Sequence, residues 1–519
     1  MTERPADGTG SAPPGRDWGR YAWLLPASLA ASLVARCVII SGKLLLFGDE
    51  FITWYPASAS FSAMLASTSD TINTSPPLYF ILTWFWAHAF GNSALSLRLF
   101  SSLAACVAVV AMFQALKRAY GPLAAASAVT VAFFNVELLA ESMEARFYML
   151  VLAEVAAAIL IYQCMMDSPR SSKRLLVANT AVHACLVMTH YFGLLYSGLV
   201  LGAVLLTSLR RGRRSLRECA SIAAGWIVFL PWIPVLQRHL GMGRPSFWIP
   251  VPAVADVGRY YAGFLTPDFW ILAAILCGLG LAAVARGRRG PGEAAPVPSM
   301  DQGRSLLTVG ILFGLFPILV YVVSTRHGAP SSFLARYMIP CWLGWSIIVA
   351  HIASRIFGMG AKGNLGLAQV AAVVLFMGWC ESAQIADAGS RIRQGPPAML
   401  PAAVKPGEPV VVEYIHEFMA LHFYSPESPR YVFLVDHEAA IKAGGGVPAN
   451  HQVMEALKRN FPDQFKEVIP SGEFLAGAQS FWVLIHNLEW WPARIPHNPD
   501  FVSDAALPDQ RLVHVVRRH

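Results

Sequence analysis

Two adjacent carboxylates, Asp49 and Glu50, follow an apolar segment in the sequence Phe47-Gly48-Asp49-Glu50-Phe51. An ionised carboxylate can take a proton from a hydroxyl group, and its charge can stabilise a positive centre that develops during a reaction. Aspartate is also favoured at the start of a helix, so a capping role for Asp49 remains open. The pair predicts a catalytic site in which Asp49 is the main carboxylate. Glu50 would assist it, orient a substrate, bind a metal ion or simply be solvated.

Charged and aromatic side chains at the ends of other apolar segments could complete such a site. A guanidinium group can hold two oxygen atoms of a phosphate with parallel hydrogen bonds. Simpler roles stay open, because Glu144 could only pair with Arg146 and Tyr148 could lie among interfacial aromatic residues. His190 could likewise be satisfied by the backbone. The predicted substrate-binding residues are Arg146, His190, Arg336, Glu144, Tyr148 and Arg259.

The composition predicts that these residues are positioned by elements in a membrane. Of the 519 residues, 55% are hydrophobic and only 14% are charged, whereas a soluble domain has about 25% charged residues. The net charge of +8 comes from short Lys and Arg clusters between apolar blocks, as in the cytoplasmic loops of membrane proteins. The sequence has no nucleic-acid-binding motif, so we expect no nucleic-acid partner. Its 8 cysteines are scattered singly, which predicts no metal site.

The apolar blocks predict a polytopic α-helical membrane protein with about eleven transmembrane helices. A helix needs about 20 apolar residues to cross the hydrocarbon core. Basic residues alternate between loops in a way that places the N-terminus in the cytoplasm. The predicted spans are residues 21–41, 95–116, 122–139, 146–166, 174–189, 191–209, 218–237, 269–285, 305–324, 335–354 and 366–385.

These spans divide the chain into three predicted regions. Residues 1–20 would be a disordered cytoplasmic tail, and residues 21–385 a transmembrane domain with a first outer loop at 42–94. Within that loop, the short apolar stretch 76–91 predicts a helix on the outer membrane surface. Residues 386–519 have the patterning of a small soluble α/β domain on the outer side. Its predicted elements are strands at 409–414, 431–435 and 481–486 and a helix at 451–461.

The candidate residues belong to short motifs that follow one another at predicted outer helix ends. Together these motifs resemble the membrane glycosyltransferases of the C-type fold. They are most similar to the family 39-like bacterial branch, which is related to protein O-mannosyltransferases and to the aminoarabinose transferases of lipid A. The resemblance covers about residues 20–355. The motifs are Phe47–Phe51, Asn73–Tyr79, Leu95–Arg98, Glu144–Tyr148, Thr189–Phe192 and Leu334–Pro340.

This resemblance implies that Asp49 is the catalytic carboxylate of a glycosyl transfer. A hexose or pentose would move from a polyprenyl-phosphate-linked donor to a hydroxyl acceptor, which could be a glycan, lipid A or a protein. The acceptor would be reached from the periplasmic or extracellular face of a bacterial inner membrane, whose lipid would surround the protein. Transfer of a whole oligosaccharide remains an alternative within the enzyme class.

One motif departs from the family pattern. Members often carry a histidine immediately before the Pro-Pro pair, where this chain has Ser75, and some carry a metal-binding acid nearby. Because hydroxyl side chains such as Thr74 and Ser75 bind a divalent ion poorly, the sequence names no certain cofactor. A divalent metal ion stays open.

Two functions of other classes also fit the sequence. A transporter or flippase of lipid-linked intermediates would show spans broken near the middle of the membrane, whereas here the charges gather at outer helix ends. A non-catalytic membrane scaffold with an outer binding domain would tolerate the loss of the Asp49 carboxylate. The response of the protein to Asp49→Asn therefore separates the enzyme from the scaffold.

Overall fold

The computed structural model describes residues 21–41, 43–242, 249–267, 269–275, 278, 300–326, 331–356, 371, 373–380, 382, 400, 403–444, 447–486, 495, 498–507 and 511–518. The predicted tail 1–20 lies outside these residues. So do the second half of the predicted span 269–285 and both ends of the predicted span 366–385.

Helices joined by short turns make up the described chain before residue 357. Local signals set several boundaries: the Ser93 hydroxyl accepts a hydrogen bond from the Ser96 amide at 3.2 Å, and Gly121, with φ +89°, separates two helices. The helices are α1 (Leu24–Arg36), α2 (Phe51–Ser58), α3 (Phe61–Ser69), α4 (Leu78–Phe90), α5 (Ala94–Tyr120), α6 (Pro122–Phe133), α7 (Val136–Glu141), α8 (Tyr148–Asp167), α9 (Lys173–Thr189), α10 (Phe192–Arg211), α11 (Leu216–Trp226), α12 (Ile233–Gly241), α13 (Val254–Phe264), α14 (Met300–Ser324) and α15 (Cys341–Ile356).

Several of these helices have the length and composition of membrane spans. Among the described residues, 6 helical segments are long and apolar enough to cross a membrane. The predicted helix within the first outer loop is present as α4. The count of about eleven spans stays a prediction, because two of them extend beyond the described residues. The six segments are Leu24–Ser41, Ala94–Tyr120, Tyr148–Asp167, Phe192–Arg211, Leu216–Gly241 and Gly303–Ser324, and shorter apolar helices are Leu78–Phe90, Pro122–Phe133 and Cys341–Ser354.

Three predicted spans are less regular than expected. The predicted helix 122–139 breaks at Asn135, whose side chain accepts a hydrogen bond from the Glu137 amide at 2.9 Å and starts a new helix. The span 218–237 passes through a 3-10 segment at Ile227–Trp232 that contains Pro231, which has no amide donor. The predicted helix 335–354 begins only at Cys341, after a 3-10 turn at Ala335–Met338.

Glycines bring α14 and α15 into close contact. A Cβ atom at Gly344 would lie 2.7 Å from the Phe313 Cβ and 2.8 Å from the Gly310 carbonyl oxygen. Small residues at such spacing allow the backbones of apolar helices to approach each other. The contact fixes the two helices that flank the described segment 331–340, which carries Arg336.

The C-terminal region folds around a mixed six-stranded sheet of order β3-β2-β1-β4-β6-β5. Strands β1 to β4 run parallel, whereas β6 is antiparallel to β4 and β5 is antiparallel to β6. The predicted strands and helix each correspond to an observed element, within a few residues. The strands are β1 (Val410–Val412), β2 (Tyr431–Val435), β3 (Val468–Pro470), β4 (Ser480–Leu484), β5 (Phe501–Leu507) and β6 (Leu512–Arg517), and the helices are α16 (Ile415–Tyr424), α17 (His437–Ala443), α18 (Val447–Asn460) and α19 (Ser471–Gly477).

The first loop and the C-terminal region share one hydrophobic core. The ring of Phe51 lies 5.4 Å from that of Phe423, and the ring of Tyr55 lies 4.7 Å from that of Phe465, both measured between centroids. The Tyr424 hydroxyl also accepts a hydrogen bond from the Leu46 amide at 2.7 Å. The sheet therefore packs directly on the loop that carries the Asp-Glu pair.

Candidate active site

A cavity of about 890 Å³ lies between the first loop, the ends of several apolar helices and the C-terminal sheet. It brings together Asp49, Arg146, Tyr148, His190 and Arg336, which the sequence predicted to act together. Its walls are formed by Gly48, Asp49, Ile52, Ile72, Asn73, Thr74, Arg146, Tyr148, His190, Tyr191, Phe192, Leu236, His239, Leu240, Met242, Ile249, Ser332, Arg336, Tyr337, Glu413, Tyr414, Ile415, His416, Met419, Ala443, Gly444, Val447, Ala449, Asn450, Val453 and His486.

Asp49 reaches the cavity from a 3-10 turn that spans Gly48–Glu50. The turn begins with Gly48 at φ +51°, a conformation that side-chain-bearing residues rarely adopt. A capping hydrogen bond from the Asp49 side chain is not among the contacts of the described residues, and its carboxylate instead faces two arginines. The capping alternative considered for Asp49 therefore does not describe this turn.

Glu50 lies behind Asp49 and outside the cavity. Its side chain is buried and receives two hydrogen bonds from Arg98, at 2.8 Å and 2.5 Å. The backbone amides of Ala145 and Phe47 donate to the same carboxylate at 2.9 Å and 3.1 Å. These protein donors occupy the Glu50 oxygens and hold the turn that presents Asp49; a catalytic role of Glu50 stays a prediction.

The Asp49 carboxylate faces two guanidinium groups. Its Oδ2 atom lies 3.3 Å from an Arg336 nitrogen and 3.9 Å from an Arg146 nitrogen, and its side chain is 28% exposed. Burial opposes ionisation, but Arg146, Arg336 and His416 together lower the pKa of Asp49 below its ordinary value. Asp49 is therefore an anion at neutral pH.

Arg146 joins the first loop to the end of α8. One terminal nitrogen donates to the Asp49 carbonyl oxygen at 3.1 Å and to Asn73 Oδ1 at 3.3 Å. Asn73 is itself held by its donation to the Ile52 carbonyl at 2.9 Å. These contacts fix the guanidinium group, and among the described residues its Nε–H donor has no hydrogen-bond partner.

Arg336 and Tyr148 line the cavity beside Asp49. The guanidinium of Arg336 lies 5.7 Å from the centre of the Tyr148 ring, a cation–π distance. Because α15 begins only after the 3-10 turn, Arg336 projects from a turn and not from the body of a helix. Its side chain is 28% exposed, which leaves a face open to the cavity.

His190 occupies a break between α9 and α10. Its ring stacks on Phe147 with 4.6 Å between centroids, and its Nδ1 accepts a hydrogen bond from the Phe192 amide at 3.2 Å. Burial, assisted by the charge of Arg146, lowers the pKa of His190 to about 3. His190 is therefore neutral, and with Nδ1 acting as an acceptor its proton resides on Nε2.

Two predicted binding residues lie elsewhere. Arg259 is 73% exposed on α13 and pairs with Asp256 one helical turn away, so its charge is directed to the surface and not to the cavity. Glu144 is not among the described residues that line the cavity. Burial and the nearby Glu50 raise the pKa of Glu144, and its carbonyl oxygen accepts a hydrogen bond from the Arg146 amide at 2.8 Å in the turn before α8.

The C-terminal region contributes site residues that the sequence analysis did not single out. Glu413, Tyr414 and His416 follow β1 into the cavity, and His486 follows β4. The signal was available, since polar residues after parallel strands gather at the carboxyl edge of a sheet.

The arrangement can bind an anion beside a fixed carboxylate. Two guanidinium groups face one carboxylate, so a phosphate could enter without leaving net negative charge at the site. Among the described residues, no group of three or more His, Cys, Asp or Glu side chains is placed to hold a metal ion. The available chemistry of these side chains is charge stabilisation, proton transfer and hydrogen bonding.

Comparison with solved structures finds similarity to two proteins. ArnT from Cupriavidus metallidurans bound to undecaprenyl phosphate shares 14% identity over 95% of this chain and 98% of that chain, with a TM-score of 0.44; its apo state shares 13% over 96% and 98%, with a TM-score of 0.45. The archaeal oligosaccharyltransferase AglB from Archaeoglobus fulgidus, in complex with an inhibitory peptide and a dolichol-phosphate, shares 11% over 90% and 70%, with a TM-score of 0.42. No protein-family model and no curated protein matches the sequence. Likeness at this level leaves the function to be inferred from the residues of the site.

Proposed function

We propose that this chain is a membrane glycosyltransferase that moves a sugar from a polyprenyl-phosphate-linked donor to a hydroxyl acceptor. The observation that carries the proposal is the Asp49 carboxylate, which faces Arg336 at 3.3 Å and Arg146 at 3.9 Å in a cavity at the ends of apolar helices. In a reaction with a phosphate leaving group, the two cations would bind the phosphate and the anion would stabilise positive charge on the sugar.

The donor phosphate would bind to Arg336 and Arg146. Both guanidinium groups line the cavity, and their contacts with Asp49 are longer than a strong ion-pair hydrogen bond. Phosphate oxygens could therefore take up donor positions without dismantling the site. When phosphate oxygens bind the two guanidinium groups, the arginines interact less strongly with Asp49. The Asp49 carboxylate can then interact with the substrate.

The lipid part of the donor explains the membrane setting. A polyprenyl chain is apolar and requires access from the bilayer, and the helices around the site have apolar surfaces suited to lipid. The cavity wall is also apolar on one side, at Leu236, Leu240 and Ile249. This side is the proposed path for the first isoprene units.

The reaction exchanges one bond at the anomeric carbon of the sugar. The bond to the phosphate oxygen breaks, and its electron pair leaves with the polyprenyl phosphate, whose charge is met by the arginines. The acceptor oxygen bonds to the anomeric carbon and loses its proton to a base in the site. Asp49 is the catalytic carboxylate, because its negative charge can stabilise the positive character at that carbon.

The acceptor would carry a hydroxyl group, on a glycan, on lipid A or on a protein. We place the site on the outer face of a bacterial inner membrane, with a cytoplasmic N-terminus and a C-terminal domain in the periplasm or outside the cell. The alternation of basic loops in the sequence supports this orientation. A hexose and a pentose donor are both compatible with the residues of the site.

Sugar transfer by purified protein tests the proposal. A radiolabelled pool of polyprenyl-phosphate sugars would be incubated with membrane fractions and with wild type, Asp49→Asn or Asp463→Asn. Asp463 is 96% exposed on the C-terminal region, so it controls for the same chemical change outside the site. We expect transfer by the wild type and by Asp463→Asn, and a loss of at least about 100-fold in Asp49→Asn. No transfer by the wild type would reject the function, and equal transfer by Asp49→Asn would remove Asp49 from the mechanism.

A further inference from the structure

The C-terminal sheet meets the cavity at a particular point of its topology. From β1 the chain continues to β2 and β3 on one side, and then returns to place β4 on the other side of β1. The strand order therefore reverses between β1 and β4. In open parallel sheets, ligands bind outside the carboxyl ends of the strands at such a reversal.

The side chains that follow these two strands form a crevice that opens over Asp49. Tyr414 follows β1 and His486 follows β4, and their rings stack with centroids 4.2 Å apart. His416 stands beside them, with its ring centre 5.0 Å from that of Tyr414. All three residues line the cavity. The sheet thus presents its ligand-binding edge to the carboxylate of the first loop.

His416 is the residue of this crevice that lies against the first loop. A Cβ atom at Gly48 would lie 3.2 Å from its Nδ1, so the imidazole covers the backbone immediately before Asp49. Among the residues that the structure describes, neither ring nitrogen of His416 has a hydrogen-bond partner. Within that part of the chain neither nitrogen is committed to a protein partner, and the residue lines the cavity.

We infer that the crevice at the carboxyl ends of β1 and β4 is the acceptor subsite, and that His416 takes the proton of the acceptor hydroxyl. This inference rests on the proposed function. Asp49 and His416 then divide two roles: the carboxylate stabilises the anomeric carbon, and the imidazole accepts the proton. In the step, the acceptor O–H proton passes to a ring nitrogen of His416 while the acceptor oxygen bonds to the anomeric carbon. The electron pair of the broken bond leaves on the polyprenyl phosphate, and the imidazolium later releases its proton to water.

The charges around His416 favour this division of roles. Burial lowers the pKa of His416 below its ordinary value; Arg336, Arg146 and His486 lower it further, and Asp49 opposes them. The imidazole is therefore neutral at pH 7 and can accept a proton. The arginines depress the pKa of Asp49 as well, so its carboxylate stays ionised beside the neutral imidazole.

Chemical rescue tests the inference with the full-length protein. The sugar-transfer assay would compare wild type, His416→Ala and His422→Ala, with and without added imidazole. His422 lies on the same helix as His416 but stacks on Phe465 away from the cavity. We expect the His416→Ala rate to fall by about 100-fold and to recover with imidazole, while His422→Ala keeps its rate and does not respond.

The pH profile gives a second readout that a structural role would not produce. In the wild type, the rate should fall as the pH drops through the lowered pKa of His416, because the imidazolium cannot accept a proton. In His416→Gln this acid limb should be absent. Two results would overturn the inference. One is a wild-type transfer rate in His416→Ala. The other is a low rate in His416→Ala that imidazole does not restore, together with an acid limb in His416→Gln that is unchanged from the wild type.

The same experiment separates this inference from the function on which it rests. If the wild type transfers sugar and Asp49→Asn does not, while His416→Ala matches the wild type, only the role of His416 is rejected. If the wild type shows no transfer from any donor, the proposed function fails and the inference falls with it. If Asp49→Asn matches the wild type, the role of Asp49 is rejected and the division of roles with His416 falls.

Discussion

The imidazole of His416 covers the backbone of Gly48, so closely that a Cβ atom at residue 48 would lie 3.2 Å from Nδ1. Gly48 also has φ +51°. A residue of the C-terminal helix α16 and a glycine of the first loop thus determine together where Asp49 is held. The turn that carries Asp49 depends on two parts of the chain that are far apart in sequence.

Replacing Gly48 by alanine should disturb this contact. We expect Gly48→Ala to lose about 1–3 kcal/mol of stability from backbone strain and to lower the transfer rate at least about tenfold, because His416 and the turn must separate. Gly91→Ala is the matched control, since Gly91 has φ +87° and a Cβ atom added there would meet nothing within 4 Å. Gly91→Ala should lose stability from backbone strain but keep the wild-type transfer rate. Equal rates of transfer in the two variants would contradict the prediction, and thermal unfolding would measure the strain.

Arg336 should govern donor binding. We expect Arg336→Gln to raise the KM for the polyprenyl-phosphate sugar by about 10- to 100-fold, since a hydrogen bond to a charged group contributes about 1.5–3 kcal/mol. Arg336→Lys should recover part of the loss, because it keeps the charge but not the paired donors. Arg259→Gln, on the exposed surface, should leave KM unchanged. Donor titrations at fixed acceptor would show a comparable KM in all variants if Arg336 does not bind the phosphate.

His190 should act as a neutral hydrogen-bond donor. Its Nδ1 is occupied by the Phe192 amide, and its pKa of about 3 keeps it uncharged at neutral pH. We expect His190→Gln to retain more transfer than His190→Phe, which should lose about tenfold or more because it has no donor. Initial rates at saturating donor would measure the difference. An equal loss in both variants would contradict the donor role, and a smaller loss in His190→Phe would indicate that the ring packing on Phe147 is what matters.

The buried pair of Glu50 and Arg98 should stabilise the fold. Breaking a buried ion pair by removing one charge costs about 3–5 kcal/mol, so Glu50→Gln should lower the free energy of unfolding by about this amount. Asp463→Asn, in an exposed pair, should change it by less than about 1 kcal/mol. Denaturant or thermal unfolding in detergent would measure both variants. If Glu50→Gln keeps full stability yet abolishes transfer, Glu50 is catalytic after all.

Glu141 should make stability depend on pH. Burial and the nearby Glu144 raise the pKa of Glu141 to about 8, whereas an unfolded glutamate titrates near about 4.3. The folded state therefore holds the proton between these values, and stability contributed by the neutral carboxyl is lost as the pH rises. We expect Glu141→Gln to raise the melting temperature at about pH 8, and the gain to shrink towards about pH 5. A gain that is the same at both pH values would show that Glu141 does not titrate in this range.

The sequence predicted the helices that position the site because apolar length is a local property. The Asp-Glu pair, Arg146, His190 and Arg336 were found because charged residues at the ends of such helices are costly unless they have a use. Hydrophobicity does not record where a helix breaks, however. The interruptions at Asn135 and before Cys341 depend on a side-chain cap and on a 3-10 turn, and the second of them decides where Arg336 projects.

The division of labour between Asp49 and Glu50 could not be read from the sequence. Both residues are acids in one turn. Only the three-dimensional position of Arg98 shows that Glu50 points into the protein interior, whereas Asp49 faces the cavity. The same holds for His416, because contacts between distant segments leave no periodic signal. Arg259 illustrates the opposite error: its charge fitted the site, but its helical partner Asp256 holds it at the surface.

The aromatic core that joins the first loop to the C-terminal sheet makes these two segments a single mechanical unit. The rings of Phe51 and Tyr55 pack on those of Phe423 and Phe465, so a change of ring size on one side leaves a gap or a clash on the other. A recombinant that exchanged only the sheet would face an unmatched loop and would misplace the turn that carries Asp49. A folded chimera of this chain would therefore have to carry both segments from one parent, although a whole set of helices separates them in sequence.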